Sequence, residues 1–267
     1  MFRKSWGFFR VVKAWAAYLL KARGNRWLHP PFLCAFYEVY ADSPKVHKQV
    51  ENWRMKLQKN TEQLSYYDPG TQQKRSIEVA SLAKRALLPG PAAARLAHMV
   101  AFFGPDAILE MGTCLGTTAA YFAFANPKAQ VWTLEGVEPV ADLAQQGWDY
   151  THISSIELRL GLFSETLPQV LHDWKVDQKQ SVVVYIDGHH QFEPTLAYWK
   201  MLQDSMLPIS AVVFDDIRWS VGMWEAWNKM KREHPNDVWL DLGRQGWWIS
   251  GKDKTPGTWT WRRPFFR

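Results

Sequence analysis

The chain has 267 residues, of which 47% are hydrophobic and 22% charged. This balance argues against a disordered protein and indicates one large domain, or one domain with an extension. The net charge is +6, but the basic residues concentrate at the two ends of the sequence, so we expect solvated basic faces and no nucleic-acid partner. Cys34 and Cys114 are the only cysteines. They imply no disulfide framework and fit a reducing, cytoplasmic location.

The first predicted element is an amphipathic helix over Phe2–Ala22. At 100° per residue its basic and apolar side chains fall on opposite faces. The basic face carries Arg3, Arg10, Lys13 and Lys21, and the apolar face carries Phe8, Val12, Trp15 and Leu19. Such a helix contacts a membrane surface, or it packs on the rest of the protein or on a second copy in a homodimer. Packing is the favoured alternative.

Further helices are predicted over Phe32–Tyr40, Val46–Lys59 and Ser76–Leu87, with Ser76 as a possible cap. Leu64–Gly70 is rich in turn residues. The Pro-Gly-Pro sequence at positions 89–91 is the clearest linker in the chain. We therefore expect residues 1–90 to form a helical N-terminal extension or cap, and residues 91–267 to form the main domain.

After position 91, apolar strand-like runs alternate with helix-like segments of about 10 residues, which predicts βαβ units and a parallel sheet covered on both faces. Strands are expected over Ala107–Glu110, Gln130–Glu135, Ile156–Leu160, Val182–Asp187, Ala211–Asp215, Val238–Leu242 and Gly246–Ile249. Helices are expected over Ala93–Phe103, Thr117–Phe124, Pro139–Gln146, Phe163–Leu171, Thr195–Asp204 and Trp219–Arg232. Only three residues separate the last two strands, so they must form an antiparallel hairpin.

The most informative stretch is ILEMGTCLGTTAA, residues 108–120, which has the pattern of a strand, a tight turn and a helix start. Gly112 and Gly116 lack the spacing of the dinucleotide fingerprint. Glu110 at the strand end would repel a pyrophosphate but would favour a cationic ligand such as S-adenosylmethionine. Glu135 lies about 20 positions after Gly112, where an acid binds ribose hydroxyls in either kind of cofactor. An NAD-dependent oxidoreductase is therefore a weaker alternative.

The segments ILEMGTCLGTT, VWTLEG, LRLGLF, VVVYIDGHHQF and AVVFDDI occur in the order seen in class I S-adenosylmethionine-dependent methyltransferases, and the chain most resembles their catechol O-methyltransferase-like branch. The resemblance implies a Rossmann-like, doubly wound α/β fold, with a mostly parallel seven-stranded sheet and an antiparallel last strand. It also implies that S-adenosylmethionine contacts the ends of the first four strands. The implied cofactor residues are Glu110, Gly112, Thr113, Gly116, Thr117, Glu135, Gly136, Gly161, Leu162, Phe163 and Asp187.

Carboxylates end two neighbouring predicted strands. Asp187 follows one, and Asp215 and Asp216 follow the next. Clustered carboxylates repel unless they are protonated or bridged by a cation, and Mg²⁺ prefers such oxygen ligands. In the family these positions bind a divalent metal that holds the substrate hydroxyl, although Asn is frequent at the position of Asp216. The alternative is that Asp187 and Asp216 cap the helices that follow them.

Two histidines follow Asp187 directly, at the same predicted edge of the sheet. His189 and His190 stand where the family often has a lysine, and a histidine is the usual general base near neutral pH. Asp187, His189 and His190 are therefore the predicted catalytic residues. The predicted activity is O-methylation of a small molecule. The alternative from another class is a non-catalytic protein that uses the same fold to dock on a membrane or a partner.

Overall fold

The structure is a computed structural model that describes residues 2–24, 28–68, 73–251 and 254–263. Its helices are α1 (Phe2–Lys21), α2 (Pro31–Ala41), α3 (Lys48–Leu57), α4 (Val79–Ala86), α5 (Gly90–Ala101), α6 (Thr117–Ala125), α7 (Glu138–Thr151), α8 (Phe163–Val176), α9 (Phe192–Asp204) and α10 (Val221–Glu233). Its strands are β1 (Gln63–Asp68), β2 (Gln73–Glu78), β3 (Ala107–Met111), β4 (Gln130–Glu135), β5 (Ile156–Leu160), β6 (Val182–Ile186), β7 (Ile209–Phe214), β8 (Val238–Asp241), β9 (Gly246–Ile249) and β10 (Gly257–Thr260).

The predicted α/β fold with a mainly parallel central sheet and flanking helices is confirmed. By its internal contacts the chain divides into two compact units. One unit is continuous and spans Asp42–Val183, and the other combines Met1–Ala41 with Val184–Arg267. The division falls inside strand β6.

The continuous unit contains β3, β4 and β5, which pair in parallel in that order. All five side chains of β3 are buried, as expected for a strand covered on both faces. β1 and β2 form a separate antiparallel hairpin in the same unit. Leu64 of β1 and Val79 of α4 are both buried in one apolar cluster with Leu57 and Leu143.

This hairpin differs from the sequence prediction. The segment Leu64–Gly70, expected to be a turn, lies mostly in β1, while Pro69 and Gly70 fall outside the described residues. Ser76 does not cap a helix, because it lies in β2 opposite Ser65, and the helix begins only at Val79. Cross-strand pairing overrides the local helix preference of these residues.

The discontinuous unit contains the C-terminal strands in the order β10, β8, β9, β7 and β6. β8 and β9 pair antiparallel, which confirms the predicted hairpin, and β9 is also antiparallel to β7. Strand β10, which was not predicted, pairs in parallel with β8. The core of this unit is aromatic: the Trp227 and Trp239 rings lie 5.0 Å apart, and the Trp199 and Trp248 rings 5.2 Å apart.

Helix α1 packs on α10 in the same unit, but with a face that the sequence did not indicate. Ala14 is buried, and its carbonyl accepts a hydrogen bond from Arg218 Nε at 3.3 Å. The hydroxyl of Tyr18 donates to the carbonyl of Trp261 at 2.9 Å. The predicted apolar face is exposed at Val12, Trp15 and Leu19, and the Phe8 side chain lies outside the described residues. The prediction that α1 packs on the rest of the protein is therefore correct, but the predicted face is wrong. The face with Ala14 packs instead, because its small side chain allows the two helices to approach more closely.

Candidate active site

The turn between β3 and α6 depends on two glycines in the left-handed region. Gly112 has φ +112°, and its N–H donates to the carbonyl of Leu134 at 3.0 Å. Gly116 has φ +72° and directly precedes α6. A Cβ at position 116 would lie 2.8 Å from Ala144 Cβ and 2.9 Å from Trp148 Nε1. Because that space is already filled, only glycine fits at position 116 without a shift of its neighbours.

Glu135 ends β4, and backbone N–H groups hold its carboxylate in place. Oε2 accepts from the N–H of Cys114 at 2.9 Å, and Oε1 accepts from Gly136 at 2.9 Å and Val137 at 3.0 Å. Burial raises the pKa of Glu135, and the three donors act in the opposite direction. A carboxylate offers about four lone-pair sites, so these three contacts leave acceptor capacity for a ligand hydroxyl.

Glu110 is fully buried near the end of β3. Thr133 Oγ1 donates to Glu110 Oε2 at 2.6 Å, and Thr113 Oγ1 lies 2.6 Å from Thr133 Oγ1. Thr117 is also buried, and its hydroxyl has no hydrogen-bond partner among the described residues. A buried carboxylate is most stable beside a positive charge, so the site at this turn suits a cationic ligand with a further polar group.

The third loop of the continuous unit joins the same edge. Gly161 has φ +145°, and its N–H donates to the carbonyl of Glu135 at 2.8 Å, which ties the end of β5 to the end of β4. Leu162 directly precedes α8, and Phe163 is its first residue. The structure thus gathers the residues predicted to bind the cofactor in this unit at the carboxyl ends of β3, β4 and β5. This is the edge where open α/β sheets bind ligands.

In the discontinuous unit, the three predicted acids lie close together, and an arginine contacts two of them. Asp215 is fully buried at the end of β7. Arg244 Nη2 lies 2.7 Å from Asp215 Oδ2, and its Nε lies 3.1 Å from Asp215 Oδ1 and 3.0 Å from Asp216 Oδ1. The Tyr185 hydroxyl lies within hydrogen-bond distance of both Asp187 Oδ2 (3.1 Å) and Asp215 Oδ2 (3.0 Å). Arg244 therefore compensates the charge of Asp215 and part of that of Asp216.

The negative charge of Asp187 is less compensated by Arg244 than the charges of Asp215 and Asp216 are. Burial and the nearby Asp215 raise its pKa to about 8, while Arg244 and the Tyr185 hydroxyl act in the opposite direction. A carboxyl group with such a pKa exchanges a proton near neutral pH, which an ordinary aspartate does not.

The two predicted histidines have different surroundings. His190 Nε2 lies 3.5 Å from Asp187 Oδ1, and burial lowers the pKa of His190. Its carbonyl accepts a hydrogen bond from the Ser220 hydroxyl at 2.7 Å. His189 is exposed, and its Nδ1 lies 2.6 Å from the Tyr198 hydroxyl. The structure therefore places His190 beside the acids and His189 beside Tyr198.

The predicted Mg²⁺ ligands were tested against this geometry. Both oxygens of Asp215 are taken by Arg244, so Asp187, Asp215 and Asp216 do not form an open set of three carboxylates. Single ligand atoms of Asp187, His190 and Asp216 do lie within 4.8 Å of one another. A guanidinium in contact with Asp216 opposes the binding of a second cation there. The predicted Mg²⁺ set does not fit this arrangement, and metal use stays a prediction.

Sequence reasoning missed Arg244 and Tyr185. Arg244 lies in the turn of the β8–β9 hairpin, far along the chain from the acids it contacts, and no local pattern links them. Tyr185 is a polar-tipped residue in the otherwise aliphatic strand VVVYI. A buried tyrosine usually needs a partner for its hydroxyl, so Tyr185 was the one available signal.

Comparisons with known proteins agree with this geometry. Residues 109–217 match the family model of a methyltransferase domain. The fold is similar to an O-methyltransferase from Bacillus cereus solved with S-adenosylhomocysteine (TM-score 0.55, 16% identity, 78% of this chain and 92% of that one). It is also similar to a methyltransferase from Podospora anserina bound to S-adenosylhomocysteine (TM-score 0.59, 13% identity, 85% and 99%). A third is the Streptomyces achromogenes O-methyltransferase of tomaymycin synthesis, in complex with S-adenosylmethionine (TM-score 0.53, 13% identity, 78% and 92%). No match was found among curated proteins.

The match to a methyltransferase domain model and the fold of these solved structures confirm the predicted resemblance to class I methyltransferases. The matched residues 109–217 include the turn after β3, Glu110 and Glu135, and the acids Asp187, Asp215 and Asp216. This match agrees with the predicted enzyme class, a methyltransferase.

Proposed function

We propose that the protein is an S-adenosylmethionine-dependent O-methyltransferase of small molecules, from the catechol O-methyltransferase-like branch. The observation that carries this proposal is the turn between β3 and α6, which is flanked by the carboxylates of Glu110 and Glu135. The fixed Glu135 carboxylate suits ribose hydroxyls, and the buried Glu110 suits the positive charge of the methionine part. The solved relatives bound to S-adenosylmethionine or S-adenosylhomocysteine support the choice of cofactor.

The cofactor supplies a methyl group on a positively charged sulfur. Gly112, Thr113, Gly116 and Thr117 would shape its methionine pocket, Glu135 and Gly136 would bind its ribose, and Gly161, Leu162 and Phe163 would line its adenine. An apolar ring such as Phe163 covers a purine face by stacking. Asp187, in the other unit, keeps its predicted roles as a cofactor residue and a catalytic residue. The protein contributes mainly proximity and alignment to the transfer.

Asp187 and His190 form the base of the proposed mechanism. The substrate hydroxyl loses its proton to His190 Nε2, and the Asp187 carboxylate 3.5 Å away stabilises the charged imidazole. Because the pKa of Asp187 is raised to about 8, this ionised form gains population as the pH rises through that value. Arg244 keeps Asp215 and Asp216 compensated, so the site does not gather three unpaired negative charges. His189 remains an alternative base, although its contact with Tyr198 makes it the weaker candidate.

Two measurements test this proposal. Calorimetry should detect binding of S-adenosylmethionine and none of NAD, and NAD binding alone would favour the oxidoreductase alternative. The variant Asp187→Ala should lose methyl transfer to small hydroxylated acceptors, such as catechols, while it keeps most of its affinity for the cofactor. Asp204→Ala is the control, because Asp204 is an exposed aspartate that pairs only with Lys200 on the surface of α9. Normal turnover in Asp187→Ala would contradict the role of Asp187.

We also propose a cytoplasmic location, which two free cysteines support, and a peripheral membrane contact through Phe2–Ala22. None of the helices in the described parts of the chain is long and apolar enough to cross a membrane. Two further expectations stay predictions. One is the division into an extension over residues 1–90 and a domain over residues 91–267, and the other is a homodimer. Light scattering of the full chain tests the homodimer.

A further inference from the structure

The outward face of α1 is almost entirely apolar. Val12, Leu19 and Leu20 are 46%, 67% and 75% exposed. On a helical wheel they fall on one side of the helix together with Ala16 and with Trp15, which lies at the border and also contacts Arg218 and Tyr18 with its ring. We call these five residues the α1 apolar stripe. An apolar stripe on the solvent side of a packed helix is the reverse of the usual arrangement, and such surfaces mark interaction sites.

The stripe cannot turn inward, because the opposite face of α1 is fixed to its unit. The buried Arg218 guanidinium donates to the carbonyl of Ala14 and forms an ion pair with Asp241. Tyr18 is bonded to the carbonyl of Trp261, and Arg10 forms a 2.8 Å ion pair with Glu225 of α10. These contacts set the rotation of α1 about its axis, so the stripe is held outward.

The part of the sequence that contains the stripe is basic. The first 37 residues contain no Asp or Glu but carry seven Lys or Arg: Arg3, Lys4, Arg10, Lys13, Lys21, Arg23 and Arg26. Lys13 is exposed at the border of the stripe. A groove of about 720 Å³ lies between α1 and α10, next to the stripe. Its rim carries Arg10, Lys13, Lys229 and Arg232 together with Glu225. Arg10 pairs with Glu225 and Lys229 with Glu233, so Lys13 and Arg232 are the rim cations without such an ion pair in the described parts of the chain.

We propose that α1 docks the enzyme on the surface of an anionic phospholipid bilayer. The stripe lies at the boundary between headgroups and acyl chains, and Lys13 and Arg232 of the groove rim contact lipid phosphates. This deepens the membrane contact proposed above by assigning its face and its lipid charge. Basic residues add electrostatic attraction to an anionic surface, and exposed apolar side chains add the favourable free energy of burial in the bilayer. A second copy of this chain is the poorer occupant, because two such basic faces repel each other.

The test is co-sedimentation of the full-length protein with vesicles of phosphatidylcholine alone or mixed with phosphatidylglycerol. We expect binding to the mixed vesicles, little binding to the neutral ones, and weaker binding as salt increases. The double variant Leu19→Glu, Leu20→Glu should bind about tenfold or more weakly. Met206→Glu is the matched control, because Met206 is an 80% exposed apolar residue away from α1, and it should bind like the wild type.

A second variant separates the charge from the stripe. Lys13→Gln, Arg232→Gln removes the two rim cations that are not paired with an acid and should reduce binding to the anionic vesicles while the fold stays intact. The proposal is overturned if the wild-type protein does not bind anionic vesicles, or if the stripe variant binds them as well as Met206→Glu does. It is also overturned if light scattering shows that the wild type is a dimer and the stripe variant a monomer. Methyl transfer to a soluble acceptor should be unchanged in all of these variants, so failure of docking is distinct from failure of the enzymatic proposal.

Discussion

The variant Arg244→Ala distinguishes two sources of positive charge for the acids at the ends of β6 and β7. One source is the Arg244 guanidinium, and the other is a divalent metal ion. The variant Arg244→Ala leaves the fully buried Asp215 carboxylate with the Tyr185 hydroxyl but without its cation. Removal of one partner from a buried ion pair costs about 3–5 kcal/mol. The Arg244 side chain is 42% exposed, so water already screens part of the pair. We therefore expect a loss in unfolding free energy of about 2–3 kcal/mol.

The same variant opens the site for a metal. Without the guanidinium, three carboxylates face one another, and a divalent cation becomes the available source of positive charge. Urea unfolding with and without Mg²⁺ should show no stabilisation of the wild type and a clear stabilisation of Arg244→Ala, because a ligand that binds only the folded state stabilises it. Wild-type methyl transfer should also survive treatment with a chelator.

Arg159→Ala is the matched control for this experiment. Arg159 is similarly exposed and pairs with Glu157 and Asp173 on the surface, so we expect a loss of about 1 kcal/mol or less and no response to Mg²⁺. The reasoning is refuted if chelation abolishes wild-type activity and Mg²⁺ restores it, or if Arg244→Ala is no less stable than Arg159→Ala.

Three further predictions follow from the geometry. Glu135→Gln places an amide nitrogen against one of three backbone donors, so the variant should lose about 1–3 kcal/mol of unfolding free energy. It should also bind S-adenosylmethionine more weakly in calorimetry, and an unchanged dissociation constant argues against ribose binding by Glu135. His190→Ala should lower kcat about 100-fold or more with cofactor affinity retained, whereas an equal loss in His189→Ala would exchange their roles. Burial lowers the pKa of Lys231 from 10.5 to about 8 despite the nearby Asp241. The unfolded chain then binds more protons between these values, so stability should rise with pH in that window, and urea midpoints of Lys231→Met should lack this rise.

The alternating part of the chain was predictable because each signal is local. A strand covered on both faces is a mostly apolar run, and β3, β6 and β7 all are, apart from single polar residues such as Glu110. The glycine turn was equally clear, since the need for positive φ at Gly112 and Gly116 is set by a few neighbouring residues. The hairpin β8–β9 followed from the length of its loop alone.

The features that could not be predicted from the sequence depend on contacts between residues that are distant along the chain. The pairing of Arg244 with Asp215 joins two loops, and neither loop has a local pattern that requires it. The orientation of α1 was wrongly predicted for the same reason: the strongest apolar stripe is not the buried one, because Arg218 and Tyr18 fix the opposite side. Strand β10 is short, and it forms because it can pair in parallel with β8.

The discontinuous unit has a consequence for how the protein is made. A ribosome releases residues 42–183 as one uninterrupted compact unit, which can fold while synthesis continues. The first 41 residues emerge earlier, yet their contacts with Arg218, Glu225 and Trp261 do not exist until those residues have been synthesised. During that interval the whole of α1 is open to chaperones, and we expect slow or chaperone-assisted maturation to be confined to this segment.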